Sequence, residues 1–455
     1  MRFYFFIFLF LLPLIGVHAQ NSSPLAVSHF FSVNRARFEP AALGTDFNKF
    51  QIGIVGGNLW GGNSTFKRSE IEPVIKGDKK TGELASNVKP ENRGGFMAVV
   101  EPLNIGFKVT KKTNIPHHNF ERKVWCPGQT YGKEILTLSF GVAERAQGSG
   151  AVSGNIVQAY YNRTLRDLSN LADQYARLDG VYSREWTLGA AGPIELKNPR
   201  GFWNDVYMRW GLRVKYLQGI AAFSTNDGEG KVSLENQGNL ILANYGFNFY
   251  TTNFKGFSPL ESKGSGLALD AGITLNYQQN WFASLNFLDF GRLKFVKDVI
   301  NYQDQGTLDP TNVDDFNLQE IIKASRGNLD EEDSFSMPYP SRVRVQGGFR
   351  LPAYDGFGRL YSRHMIYLTI VNHLTKISVN IKSPYLGASY VFNWNNILEL
   401  GTSAEISSFS GFKPGALFAA RAGFFRLGIA TSNILPFLEG DGYEGDLAFQ
   451  LTCSF

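Results

Sequence analysis

Residues 205–216 read Asp205-Val206-Tyr207-Met208-Arg209-Trp210-Gly211-Leu212-Arg213-Val214-Lys215-Tyr216. Side chains of an extended chain alternate between two faces. Val206, Met208, Trp210, Leu212, Val214 and Tyr216 therefore share one face, and Tyr207, Arg209, Gly211, Arg213 and Lys215 the other. Three cations opposite an all-apolar face describe a wall with lipid on one side and a wet interior on the other. A half-solvated strand of a soluble sandwich alternates in the same way, so the choice falls to the rest of the chain.

The pattern recurs. Leu267, Leu269, Ala271, Ile273, Leu275 and Tyr277 oppose Ala268, Asp270, Gly272, Thr274, Asn276 and Gln278 over twelve residues. That length suits the roughly 9 to 11 residues of a tilted membrane strand better than the usual five or six of a globular one. Gln279-Asn280 makes a tight connection into Trp281, Ala283, Leu285 and Phe287. Leu136 to Val142, Val343 to Arg350 and Leu398 to Ile406 alternate likewise, the last with Glu399 and Glu405 on its polar face. With segments around Gln51, Phe96, Trp186, Leu240, Ile366, Val379, Tyr390, Phe418 and Leu427, the expectation is an all-β fold: a closed antiparallel transmembrane β-barrel of about 14 strands, within 12 to 16. Two regions break the rhythm. Ile156, Tyr160, Leu165, Leu168, Leu171 and Tyr175 have helical spacing, which predicts a short helix within residues 152–178, outside the wall or in the lumen. The acidic connection 297–338 reads as a solvated loop, since its Asp spacing matches no calcium loop.

Composition agrees with a large closed sheet. Of 455 residues, 19% are charged, below the roughly 25% of a soluble chain, and Gly (48) and Phe (38) are abundant. Met1 and Arg2 precede an apolar run from Phe3 to Gly16 and then Val17-His18-Ala19, the pattern of a secretory signal peptide cleaved after Ala19. Arg2 is the leader's one charge, so 44 basic and 40 acidic side chains remain, a net of +4. Both signs are interspersed, which excludes a nucleic-acid surface. No later apolar run is long enough for a membrane helix, so membrane entry requires a closed barrel. The domain reading is a signal peptide at 1–19, an N-terminal segment at 20–47 that is a candidate lumen plug, and a transmembrane β-barrel at 48–455. The protein is expected in the bacterial outer membrane.

The closing segment places Leu447, Phe449, Leu451, Cys453 and Phe455 on one face and Asp446, Ala448, Gln450, Thr452 and Ser454 on the other. Alternation ending in a C-terminal Phe resembles the barrel-insertion signal of outer-membrane proteins. Its implied partners are outer-membrane lipids and the barrel-assembly machinery, with other envelope proteins as candidates. Cys453 on a lipid face argues against a disulfide with Cys126.

Phe38-Glu39-Pro40-Ala41-Ala42-Leu43-Gly44 resembles the Asn-Pro-Ala element near the start of fatty-acid-transporter-like outer-membrane barrels, with Glu39 in place of Asn. Residues 215–220, 269–273, 288–291 and 430–433 resemble an uncharacterised Bacteroidota barrel family of this architecture. The resemblance implies about 14 strands, with N-terminal residues such as Glu39, Pro40 and Ala41 folded into the lumen as a plug.

Three functions compete. A porin-like transport barrel would bind or pass small hydrophobic solutes, with Arg209, Arg213, Lys215, Arg342, Arg344, Arg350 and Arg421 facing the lumen and Glu399 and Glu405 as counter-charges. The same residues equally suit a salt-bridged filling. A second reading is a non-transport scaffold of a secretion, surface-assembly or gliding complex. A remote third is a membrane-embedded hydrolase, for which Ser362 and His364 share a strand face but lack an activating motif. No enzyme activity, no cofactor and no metal site is expected; His117-His118 point apart in extended chain and have no partner at ligand spacing.

Overall fold

The alternating segments pair in sequence order because each is joined to its neighbour at one end or the other. The computed structural model describes residues 27–28, 30–45, 49–65, 70, 88–113, 131–154, 174–195, 205–225, 230–237, 240–252, 258–278, 280–308, 328–331, 334–354, 360–375, 385–407, 411–435 and 444–455. Its strands are β1 (Phe50–Asn63), β2 (Glu91–Thr113), β3 (Tyr131–Ser153), β4 (Gln174–Ile194), β5 (Val206–Ser224), β6 (Gly230–Gln237), β7 (Leu240–Thr252), β8 (Gly264–Tyr277), β9 (Trp281–Phe295), β10 (Val299–Leu308), β11 (Asn328–Glu331), β12 (Phe335–Pro338), β13 (Arg342–Tyr354), β14 (Leu360–His373), β15 (Tyr385–Trp394), β16 (Leu398–Ser407), β17 (Gly411–Ala422), β18 (Phe425–Thr431) and β19 (Glu444–Ser454).

Fourteen of these strands close a barrel. The antiparallel circuit runs β1 to β5, then β8, β9 and β13 to β19, and β19 returns to β1 from Gln51↔Ser454 to Gly62↔Glu444. Closure leaves no unpaired edge in the wall, the condition for a sheet in lipid. An even strand number brings both ends of the wall together. Lys49 N and Phe50 N donate to Phe455 O at 3.0 and 3.1 Å, and Phe455 N to Phe50 O at 2.8 Å. At this end the connections β8–β9, β15–β16 and β17–β18 are tight, with Gln278, Asn395, Asn396 and Gly423 at positive φ. Asn395 and Asn396, at two successive left-handed positions, form the centre of the β15–β16 turn, which Ile397 N closes onto Trp394 O at 2.9 Å.

Outward positions carry exposed apolar side chains, among them Leu212, Val214, Leu267, Ile366, Leu400 and Phe418. Inward positions on the same strands are buried and polar, among them Arg213, Lys215, Asp270, Gln346 and Glu399. Polar residues buried under an apolar exterior invert a soluble protein and identify a membrane-spanning wall.

The segment expected to hold a helix, 152–178, has strand at its two ends: Val152 pairs with Ala176 as β3 meets β4, and Gln174 and Tyr175 extend β4 to β6. Ile156, Tyr160, Leu165, Leu168 and Leu171, which carry the helical spacing, lie outside the described residues. A short helix that is described is α1 (Ser32–Arg35), inside the barrel. One expectation is corrected: connection 297–338 is no plain loop. Its β10 pairs with β7 over ten residues, β11 pairs with β10, and β12 prolongs β13 along β9. β6 and β7 rise from the β5–β8 connection, so β6, β7, β10 and β11 form a sheet beyond the wall's end. The segment around Leu240 thus belongs to this extension and not to the wall. The leader, His117-His118, Cys126 and the segment around Val379 lie outside the described residues.

Candidate functional site

A barrel of this girth must fill or flood its interior. Here residues 27–28 and 30–45 occupy it. Phe31 precedes α1, and a 3-10 turn follows at Pro40–Ala42. Phe30 and Phe31 are buried in a cluster with Phe282, Met365, Tyr367 and Val391 from the far wall. Val33, Ala36 and Leu43 pack on Ala191. Backbone groups of the segment that lack helical partners bond to wall side chains: Gln51 accepts from Val33 N (2.9 Å) and Ser32 Oγ (3.0 Å) and donates to Phe30 O (3.1 Å), while Arg426 donates to Phe30 O at 2.6 Å.

The Pro40 turn has a prepared seat. Gly211 of β5 lies opposite Gly272 of β8 in register. A Cβ on Gly211 would fall well inside 3.0 Å of Pro40 and Ala41 backbone atoms, and one on Gly272 would lie 3.2 Å from Pro40 Cδ. Only two facing glycines let the turn lie against the strands. Arg209, beside Gly211, clamps it: Nε donates to Ala41 O (3.1 Å) and Nη2 to Leu43 O (2.7 Å), while Glu134 receives the guanidinium at 2.6 and 2.8 Å.

A chain of buried ion pairs joins the segment to the wall. Arg35 forks onto Glu39 Oε2 at 2.7 and 3.1 Å, and Thr274 donates to Glu39 Oε1 at 2.8 Å. Arg37 reaches Glu101 at 2.7 Å and Glu185 at 3.3 Å; Asn34 also donates to Glu101. Arg145 bridges Glu185 (2.8 Å) and Asp289 (3.2 Å). Lys215, fully buried, pairs with both Asp289 and Asp270, the latter at 2.8 Å. Tyr339 Oη donates to Glu185 at 2.8 Å. Asp289 points inward because β9 is irregular there: its φ is +61°, the register with β8 shifts between Leu269 and Ala271, and its N–H bonds to Asp270 Oδ1 at 2.7 Å. A bulge here turns Asp289 inward and shifts the parity of the strand beyond it, so that Phe287 and Phe290 both face out. Burial alone would push the Glu39 carboxyl up, but the Arg35 guanidinium, with Arg344 and the Thr274 hydroxyl behind it, holds it below its usual value.

Of the residues singled out in the sequence, Arg209, Arg213, Lys215, Arg342, Arg344, Glu399 and Glu405 are buried on the lumen side. Arg350 lies over the Phe282 ring at 4.2 Å. Arg421 sits at the β17–β18 turn with Nε donating to Gly423 O. Glu399 accepts from Ser28 and Asn393 and is close enough to act on Arg35 of the plug, while Glu405 stands apart, 3.6 Å from Lys413. Glu39, Pro40 and Ala41 are buried in the lumen. In the last strand Leu447 and Phe455 are exposed, Phe449 and Leu451 half-buried, and Cys453 is buried at 7% between Ile52 and Phe425 in register. The Phe455 ring stacks on Phe424 and lies 6.4 Å from Phe50. His364 shares the outward face with Ile366 and Leu368, its Nδ1 2.7 Å from the Tyr390 hydroxyl, while a register shift separates it from Ser362, which pairs with Pro352 where His364 pairs with Leu351, so the expected sharing of one face is corrected. Arg37, Glu101, Arg145, Glu185, Asp289 and Tyr339 escaped the sequence reading. Arg145 and Glu185 each sit on long alternating strands, a signal that was available; Asp289 had none, because its strand parity points outward.

Between the plug and β1, β2 and β19 lies a small cavity of about 40 Å³. Phe38, Met97, Val99, Ala448 and Phe449 give it an apolar lining, and Asn34, Arg37, Glu101 and Arg342 border it with polar groups.

The family described as a family of unknown function, DUF5723, matches residues 40–432. The chain belongs to that family. Its match begins at Pro40, the residue seated between Gly211 and Gly272. No curated protein matches. Similar solved structures include the toluene transporter TodX of P. putida (8% identity, 96% of this chain and 95% of that chain, TM-score 0.44) and the toluene transporter TbuX of Ralstonia pickettii (9%, 96% and 97%, 0.44). A FadL homologue of Pseudomonas aeruginosa is similar at 8% identity, 97% and 99% coverage and a TM-score of 0.41.

Proposed function

We propose that the protein is an outer-membrane barrel that binds small hydrophobic solutes between plug and wall and passes them when the plug shifts. The lining beside Phe38 carries this reading: Met97, Val99, Ala448 and Phe449 make it apolar, with Asn34, Arg37, Glu101 and Arg342 as a few placed polar groups, around a space of about 40 Å³ that must widen as the plug shifts before a solute fits. The seated plug supports a closed resting state, since it is held on every side by hydrogen bonds and ion pairs. The apolar leader supports export, and the terminal strand with Phe455 supports insertion by the barrel-assembly machinery.

Purified protein is titrated with small neutral aromatics and aliphatic alcohols by calorimetry, and its conductance is recorded in planar bilayers. Saturable binding that is weakened by Val99→Asp, with few openings in the wild type, is the expected result. Absence of binding, or a large steady pore in the wild type, refutes it. A second reading, a scaffold for other envelope proteins, is favoured by the sheet of β6, β7, β10 and β11 standing beyond the wall. Co-purification of a defined partner that is lost on deleting residues 230–252 would support the scaffold instead.

A further inference from the structure

Arg344 lies on the lumen face of β13 at 2% exposure. None of its three guanidinium nitrogens has a hydrogen-bond partner, although the group carries five N–H donors and no acceptor. Its nearest named contact is the Phe38 ring of the plug, 5.8 Å from centroid to Cζ, and Arg342 lies over the same ring at 5.6 Å. A ring face attracts a cation but satisfies no N–H. The carboxylate whose field reaches Arg344 is Glu39, and both of its oxygens are already engaged, Oε2 by the Arg35 fork and Oε1 by Thr274.

The charges around it do not balance. Eight cations, Arg35, Arg37, Arg145, Arg213, Lys215, Arg342, Arg344 and Arg350, stand among six carboxylates, Glu39, Glu101, Glu185, Asp270, Asp289 and Glu399, the last close enough to act on Arg35, an excess of two positive charges in this group of described residues. Water supplies acceptors to an orphaned guanidinium but no charge, and uncompensated charge under a lipid-facing wall is strongly disfavoured. An anion meets both needs through charge-assisted hydrogen bonds. It must be small, because the nitrogens are fully buried between the plug and β13.

We infer that Arg344 holds one small anion, chloride or a terminal carboxylate in size, between the plug and β13, and that this anion completes the seating of the plug. Arg344 belongs to the wall while Arg35 and Phe38 belong to the plug, so the anion ties one to the other. The inference does not depend on solute binding in the Phe38 cavity.

The test uses full-length protein in detergent at constant ionic strength, with gluconate, which is too large for the site, exchanged for chloride or formate. Chloride-35 NMR linewidth reads binding, and hydrogen exchange of residues 30–45 reads the plug. The expected result is saturable chloride broadening displaced by formate, with exchange at least tenfold slower than in gluconate. Arg344→Met abolishes both effects and Arg344→Lys keeps part of them. If formate slows exchange and chloride does not, the site takes carboxylate ends of larger molecules; if both act, it takes free small anions. Equal exchange in all three salts in the wild type overturns the inference without any variant. So does chloride broadening that Arg344→Met leaves intact while the protein still migrates as a folded barrel.

Discussion

Replacing Gly211 by Ala adds one methyl group where none fits. Its Cβ would lie inside 3.0 Å of the Pro40 carbonyl carbon and the Ala41 nitrogen, which are backbone atoms and have no rotamer by which to escape. Restoring van der Waals distance requires the turn to retreat by about 1 Å. The Arg209 bond to Ala41 O, now 3.1 Å, would then stretch beyond hydrogen-bonding range. Overpacking of this kind costs about 1–3 kcal/mol, which multiplies the open fraction of the plug by about 5 to 150, at a factor of ten per 1.36 kcal/mol. Hydrogen exchange measured by mass spectrometry on peptides spanning residues 30–45 reads that fraction, and bilayer conductance reads its consequence. Gly61→Ala is the control, because a Cβ there meets nothing within 4 Å. Should Gly211→Ala exchange at the Gly61→Ala rate, the glycine seat does not hold the plug.

Three further outcomes follow from the same contacts. The Glu39 carboxyl titrates below its usual 4.5 when folded, so its contribution is present above that value and is lost as pH falls through the lower, folded pKa; plug exchange should stay flat from neutral pH to about 5 and rise below 4.5, with Glu39→Gln lacking the acid step. Asp289→Asn removes the carboxylate shared by Arg145, Lys215 and Arg342, and breaking one side of a buried pair costs about 3–5 kcal/mol, so thermal unfolding followed by heat-modifiable gel migration should begin at a clearly lower temperature. Phe455→Ser removes the ring that stacks on Phe424 while sparing the backbone bonds; the assembled fraction in outer membranes should fall, and unchanged assembly would count against Phe455 as an insertion signal.

The wall was legible in the sequence, and for a simple reason. Lipid outside and polar groups inside impose a two-residue period on each strand, so Arg209, Arg213 and Lys215 could be assigned to one face without knowing which strand stands beside them. The count of about 14 followed from the same period, and only β6, β7 and β10 to β12 blurred it, because a strand that extends the sheet beyond the membrane obeys the same backbone rule without the lipid constraint. At 152–178 the helical spacing gave bounds too wide at its ends, because the β3 ladder runs on through Val152 and that of β4 begins at Gln174.

What the sequence determined alone is the orientation, in or out, of side chains on regularly alternating stretches of strand, because that depends on the residue's own strand. What only the tertiary structure decided is which inward groups meet. Gly211 faces Gly272 because β5 pairs with β8 across the insertion that carries β6 and β7, and Pro40 can settle there only once both are in register. Asp289 faces Lys215 because one left-handed residue shifts the parity of β9. Arg37, Arg145 and Glu185 come from segments more than a hundred residues apart or on different strands, and their pairing depends on barrel closure, a property of the whole chain that no local pattern encodes.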